Sequence, residues 1–178
     1  LGGHPEKHIP GIEVATGALG HGLSIGVGFA LAQKIKQKKG KVFILMGDGE
    51  INEGSVWEAA LMASKYKLNN LTAIIDYNKI QSAGYVKDIL PLEPLKEKWE
   101  AFGWETYTVD GHSIEELQQA FKEVDNRNGK PKVIIANTVK GKGCTIMEHK
   151  PEWHYWQGMA EKQIELTRKE LKEILRDK

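Results

Sequence analysis

Asp48, within Gly47-Asp48-Gly49, and Asn78, followed by Ile80, are the residues of this chain best suited to chemistry. Each follows a short apolar run. Val42-Phe43-Ile44-Leu45-Met46 precedes the aspartate and Leu71-Thr72-Ala73-Ile74-Ile75 precedes the asparagine. Such runs, bounded by glycine or polar residues, read as buried strands. If the two strands are parallel neighbours, Asp48 and Asn78 reach one crevice, past the carboxyl ends of the strands, where open α/β sheets bind ligands. A carboxylate and an amide oxygen suit a hard cation such as Mg²⁺, which takes oxygen ligands and shares them with water and substrate phosphates. The pattern therefore predicts a metal-held phosphate or diphosphate. Asp76 is closer to Asn78 but lies inside the strand end, which makes it the poorer ligand.

The elements that must position these groups alternate along the chain. Residues 1–16 read as loop. Leu23, Val27, Ala30, Leu31 and Ile35 recur at helical spacing from His21 to about Lys39. A second helix is expected over Val56 to Lys67, with Leu61 and Met62 turned inward. Further helices are expected from Pro94 to Phe102, from 114 to 125 and from Met159 to Leu175. Ser113 with Glu116 forms a capping box for the helix that starts at 114. Trp104 to Val109 and Lys132 to Asn137 read as strands, and Asn126 to Pro131 as a turn. Strands alternating with helices predict an α/β fold, an open parallel sheet with helices on both faces. One domain is expected over 1–178, with 147–158 leading to a C-terminal helix within 159–178.

Composition narrows the function. A net charge of +1 points to neither nucleic acid nor a membrane surface, and no apolar run is long enough to span a bilayer. The single cysteine, Cys144, forms no internal disulfide and fits a reducing cytoplasm. The chain begins with Leu, inside a motif, so an N-terminal stretch is expected to be missing. Gly20-x-Gly22-x-x-x-Gly26 lacks the spacing of a dinucleotide fingerprint, and Lys140-Gly141-Lys142-Gly143 lacks the Ser or Thr of a phosphate loop. The glycines at 17, 20, 22 and 26 still allow close backbone approach to a ligand.

Five blocks stand in order: Gly3-His4-Pro5-Glu6, Pro10-Gly11-Ile12-Glu13, Thr16-Gly17-Ala18-Leu19-Gly20-His21-Gly22, Gly47-Asp48-Gly49-Glu50-Ile51-Asn52-Glu53-Gly54, and the later Asn78. In order and spacing the chain resembles the transketolase family from about Leu1 to His154, and is similar to the short N-terminal sections of two-subunit transketolases. The resemblance implies the diphosphate-binding domain of a thiamine diphosphate enzyme, which transfers a two-carbon ketol unit between sugar phosphates. It implies thiamine diphosphate and Mg²⁺ as cofactors, with Ca²⁺ as a substitute.

The resemblance also implies roles for single residues. Asp48, Asn78 and the Ile80 carbonyl would hold the metal. Gly47 and Gly49 would face the diphosphate. Gly17 and Leu19 would lie against the aminopyrimidine, although Ala18 stands where the family has Pro and His21 where it has Gln. His4 would meet the ketose near its reacting carbons. His154 would meet the diphosphate and the nearby end of the substrate, although Tyr155-Trp156 departs from the family pattern. Glu53 would belong to an acidic path between two cofactors at a subunit interface, and Lys142 would line the substrate entrance. The glutamate that activates the pyrimidine lies in another domain, which nothing here matches. The implied partner is a C-terminal section carrying that domain, with paired copies of this chain in contact. Two other readings stay open: another thiamine enzyme, of 2-oxo acid dehydrogenase α or deoxyxylulose-phosphate synthase type, or a non-catalytic module binding Mg-nucleotide.

Overall fold

The computed structural model describes residues 4–125, 129–155 and 158–176. Gly3, Trp156 and residues 126–128 of the expected turn lie outside them. The elements in chain order are α1 (His21–Ile35), β1 (Val42–Gly47), a 3₁₀ turn (Gly49–Asn52), α2 (Gly54–Lys65), β2 (Leu71–Tyr77), β3 (Ile80–Gln81), β4 (Gly84–Tyr85), α3 (Val86–Ile89), α4 (Leu95–Ala101), β5 (Glu105–Asp110), α5 (Ile114–Glu123), β6 (Lys132–Asn137), a 3₁₀ turn (Pro151–Trp153) and α6 (Glu161–Arg176). Four strands form one parallel sheet in the order β1-β2-β6-β5, and β3 pairs with β4 as a small antiparallel ribbon.

Central strands of a parallel sheet are covered on both faces and lose polar alternation. β6, Lys-Val-Ile-Ile-Ala-Asn, is buried along nearly its whole length, and β2 almost as fully. On one face, Leu71, Ala73, Ile75, Val133 and Ile135 pack with Leu23, Val27 and Ala30 of α1, Val56 and Ala60 of α2, and Leu95 and Trp99 of α4. On the other face, Ile134 packs with Ala120 and Val124, and with Ile74, Tyr107 and Val109. The first core is anchored by aromatic rings. Trp99 and Trp104 meet edge to face at 4.9 Å, and the Trp104 indole N–H donates to the Ala60 carbonyl at 3.0 Å. Such a pair contributes about 1 kcal/mol beyond its buried area.

α5 is the helix packed on the second face, and its Phe121 meets Phe43 of β1 edge to face at 5.9 Å. β1 is the outer strand on that side, and Leu45 remains 72% exposed.

Two local expectations need correction. Leu61 and Met62 do not turn inward; they are 57% and 45% exposed. The buried stripe of α2 is Val56, Ala59, Ala60 and Ala63, spaced i, i+3, i+4, i+7. Small residues on that stripe let α2 approach α1 closely, and the larger pair lies outside the buried stripe. The capping box is half made. The Ser113 hydroxyl accepts the Glu116 N–H at 3.2 Å, but the Glu116 carboxylate takes the Asp110 N–H at 2.7 Å instead of the cap's own.

α6 packs on the loop after β6. Cys144 lies 3.2 Å from the Thr167 hydroxyl, and the Thr145 N–H donates to Glu170 at 3.1 Å.

Candidate functional site

β1 and β2 are parallel and adjacent, with Gly47 level with Asp76. Continuing that register brings Asp48 and Asn78 to the same carboxyl-terminal edge of the sheet. Asp48 is only 1% exposed, yet both carboxylate oxygens are engaged. Oδ1 accepts the Gly49 N–H at 2.7 Å and Oδ2 accepts the Lys79 N–H at 2.5 Å. Asn78 Oδ1 accepts the Ile80 N–H at 3.0 Å, closing a local turn. Burial pushes the Asp48 carboxyl up to about 6; the Lys79 and Gly49 N–H groups oppose this, the Asp76 carboxylate adds to it, and the Lys140 ammonium lowers it. A buried carboxylate in that condition gains from a cation. Each oxygen keeps a lone pair after its single hydrogen bond, so an all-oxygen set of Asp48, Asn78 and the Ile80 carbonyl fits a hard divalent ion. No cluster of three His, Cys, Asp or Glu side chains competes for a metal among the described residues.

Gly49 is required by space. A Cβ there would stand 2.7 Å from Gln81 Cβ, because β3 runs directly across the turn. That contact keeps the Gly47-Asp48-Gly49 backbone bare, the condition under which main chain can approach a phosphate. Asp76 is taken up elsewhere, with its Oδ1 accepting the Thr138 hydroxyl at the end of β6.

The loop before α1 forms a second wall. His4, Gly17, Ala18, Leu19, Gly22 and Ile25 line a cleft of about 840 Å³. The His4 ring lies against Gly17, where a Cβ would be 3.0 Å from His4 Cδ2. The Leu19 carbonyl is 3.0 Å from His21 Nδ1, which leaves it a second lone pair. Gly20 has φ 78° and is clamped: its N–H donates to Glu50 Oε1 at 3.0 Å and its carbonyl accepts the Ser55 hydroxyl at 3.0 Å. Glu53 is exposed, and its Cβ would stand 2.6 Å from a Cβ on Gly20. The turn carrying Asp48 and the loop carrying Leu19 are thus bolted together.

Asn78 and Ile80 line a different cleft of about 710 Å³, together with Lys79, His112, Asn137 and Lys142. Lys142 reaches Glu148 at 4.0 Å. His154 stacks edge to face on Tyr155 at 5.0 Å, and its imidazole is pushed to lower pKa by burial and then by Lys140. Lys140 therefore lies in electrostatic reach of both Asp48 and His154. The structure groups His4, Gly17 and Leu19 in one cleft and Asn78 and Ile80 in the other, with Asp48 hydrogen-bonded to Lys79 of the second group.

Sequence reasoning passed over three contributors. Glu50 carries no signal by itself, because its role depends on a glycine thirty residues earlier. Lys140 is one of a run of lysines and glycines. Lys79, between the two candidate ligands, has φ 69°, a conformation that a lysine does not advertise.

The family model described as "Transketolase, thiamine diphosphate binding domain" matches residues 1–172. An apulose-4-phosphate transketolase subunit of Actinobacillus succinogenes is 50% identical over 174 residues, which are 97% of this chain and 62% of that protein. A 6-deoxy-6-sulfo-D-fructose transketolase subunit of a Clostridium species is 44% identical, over 81% of this chain and 52% of its own length. The crystal structure of transketolase from Campylobacter jejuni superposes with TM-score 0.85 at 35% identity, over 94% of this chain and 27% of that one. The chain thus spans about three fifths of the length of the apulose-4-phosphate transketolase relatives it matches. With a parallel sheet that presents Asp48 and Asn78 at one edge and a match over nearly all its residues, the chain belongs to the family of transketolase thiamine diphosphate-binding domains.

Proposed function

We propose that residues 1–178 form the diphosphate-binding domain of a transketolase that moves a two-carbon ketol unit between sugar phosphates. The observation that carries this reading is the pairing of Asp48 and Asn78 at the carboxyl ends of adjacent parallel strands, with a Gly49 that cannot hold a side chain. Asp48, Asn78 and the Ile80 carbonyl would hold Mg²⁺. Gly47, Gly49 and His154 would face the diphosphate, and Gly17 and Leu19 the aminopyrimidine. When bound, thiamine diphosphate supplies the nucleophilic carbon and the electron sink for cleaving the ketose carbon–carbon bond.

The chain's own residues bind and orient. Asp48 would contribute the negative charge that holds the metal. The Leu19 carbonyl would offer a lone pair to the cofactor's amino group. His4, packed on Gly17, would hold the ketose hydroxyls near the reacting carbons. His154 would sit at the diphosphate end. Glu53, exposed beside Gly20, would face a second copy.

Relatives that are named as single subunits of a transketolase support a second chain. We place the pyrimidine-binding domain, with its activating glutamate, on that partner, and the assembly as two of each chain with sites at their interfaces. No helix of the described residues is long and apolar enough to cross a membrane, and a free, buried Cys144 suits a reducing cytoplasm.

The test is transfer from xylulose 5-phosphate to ribose 5-phosphate with Mg²⁺ and thiamine diphosphate. The lone chain should be inactive and the mixture with a pyrimidine-domain chain active, without release of CO₂. Full activity from the lone chain would refute the partner requirement. Release of CO₂ from a 2-oxo acid would assign the chain to another thiamine enzyme.

A further inference from the structure

Lys79 stands between the two candidate ligands Asn78 and Ile80 in a left-handed conformation, φ 69°. A side chain disfavours that region, and such outliers persist where the surroundings over-determine them. Here the turn serves a purpose. It aims the Lys79 N–H at Asp48 Oδ2, 2.5 Å away, while the next N–H, of Ile80, meets Asn78 Oδ1 at 3.0 Å. One backbone link thus orients both oxygen donors.

The lysine side chain holds that link from the far side. Its ammonium donates to Asn137 Oδ1 at 2.6 Å and to the Tyr77 carbonyl at 3.0 Å, and lies 4.1 Å from the centre of the Tyr77 ring. Asn137 closes β6, next to β2, and Tyr77 closes β2. The tether therefore spans two rigid strand ends, and neither of its hydrogen-bond partners is a candidate metal ligand.

We propose that Lys79 is a positioning residue for the metal cradle: its side chain, moored to Asn137 and Tyr77, keeps the 78–80 backbone in the left-handed turn that orients Asp48 and Asn78. The inference rests on the metal site proposed above. In this role Lys79 need touch no cofactor. It acts through the backbone, as groups behind metal ligands do when they set ligand direction.

The substitutions Lys79→Met, Lys79→Gly, Asn137→Ala and Asp48→Asn separate the possibilities. Each protein, combined with a pyrimidine-domain chain, is titrated by calorimetry with thiamine diphosphate at fixed Mg²⁺, and the thermal midpoint of each variant chain is measured without ligand. Lys79→Met keeps the aliphatic stem but loses the mooring, so affinity should fall about tenfold with the midpoint nearly unchanged. Glycine adopts positive φ without help, so Lys79→Gly should bind more tightly than Lys79→Met. Asn137→Ala should match Lys79→Met, and the double variant should be no worse than either. Equal losses in Lys79→Met and Lys79→Gly would overturn the proposal by pointing to direct ligand contact. Parental affinity in Lys79→Met beside a loss in Asp48→Asn would overturn it while leaving the site intact. No loss in Asp48→Asn would remove the site reading itself. If Lys79→Met fails to fold, Asn137→Ala with and without Lys79→Gly decides: a loss that glycine restores supports the tether, and one that glycine does not restore overturns it.

Discussion

The Tyr77 hydroxyl donates to Glu93 Oε1 at 2.6 Å, joining the end of β2 to the segment that enters α4. The other oxygen of Glu93 accepts the Leu95 N–H at 2.8 Å. These two bonds, Tyr77 first, hold the Glu93 carboxyl below the usual carboxylate range, while burial and Glu93 push the Tyr77 phenol up. A depressed acid pKa stabilises the fold above the unfolded value, about 4.3, and the gain is lost as pH falls through the lower folded value. Glu93→Gln should therefore cost about 1 kcal/mol or less near neutrality, since this carboxylate is largely exposed. The deficit should shrink below about pH 4. Urea unfolding of both proteins from pH 3 to 8 checks this; a deficit that grows in acid would contradict the assignment.

Asp48 supplies the one formal charge of the candidate ligand set, and Asn78 a neutral oxygen. Asp48→Ala should abolish Mg²⁺-dependent binding of thiamine diphosphate in calorimetry, and Asn78→Ala should weaken it less. Parental affinity in Asp48→Ala would refute the site. Because the Asp48 carboxylate accepts the Gly49 and Lys79 N–H groups, Asp48→Ala also leaves two donors unpaired, so its ligand-free stability should fall by about 1–3 kcal/mol.

His4 and His154 should divide their effects. His4 lies against Gly17 in the wide cleft, so His4→Ala should slow transfer and leave cofactor affinity within a few-fold. His154 shares the Lys140 field with Asp48, so His154→Ala should chiefly weaken the cofactor. Steady-state transfer assays of the assembled enzyme, paired with cofactor titrations, would show the roles exchanged if His4→Ala collapses binding.

Gly20 should tolerate no side chain. At φ 78°, with Glu53 Cβ 2.6 Å from an added Cβ, Gly20→Ala incurs both backbone strain and a clash. A loss of about 1–3 kcal/mol in urea unfolding is expected. The loop that carries Leu19 should also become more susceptible to proteolysis, because the Glu50 and Ser55 bonds that clamp Gly20 would be displaced.

The parallel sheet was legible because its strands are short apolar runs between breakers. Val42–Met46 and Lys132–Asn137 correspond to β1 and β6 within a residue at either end. The edge location of Asp48 and Asn78 followed from the same runs. What stayed hidden depends on contacts between distant segments. Leu61 and Met62 look like core residues by type, but Ala59, Ala60 and Ala63 form the buried face of α2. Glu116 looks like the partner of Ser113, yet the Asp110 N–H lies closer to hand. Lys79 looks like a solvated charge, and only its tertiary partners show the turn that it holds.

Leu45 and Phe43 project from the outermost strand, on the face that α5 covers only in part. Val42–Gly47 contains no proline, no lysine and no bulge, the devices by which natural proteins blunt a sheet edge. Its outward amide and carbonyl groups form an open template alongside greasy side chains. Purified alone and concentrated, this polypeptide should by that logic stack edge against edge, and it should be more easily handled at low concentration or with the strand face occupied.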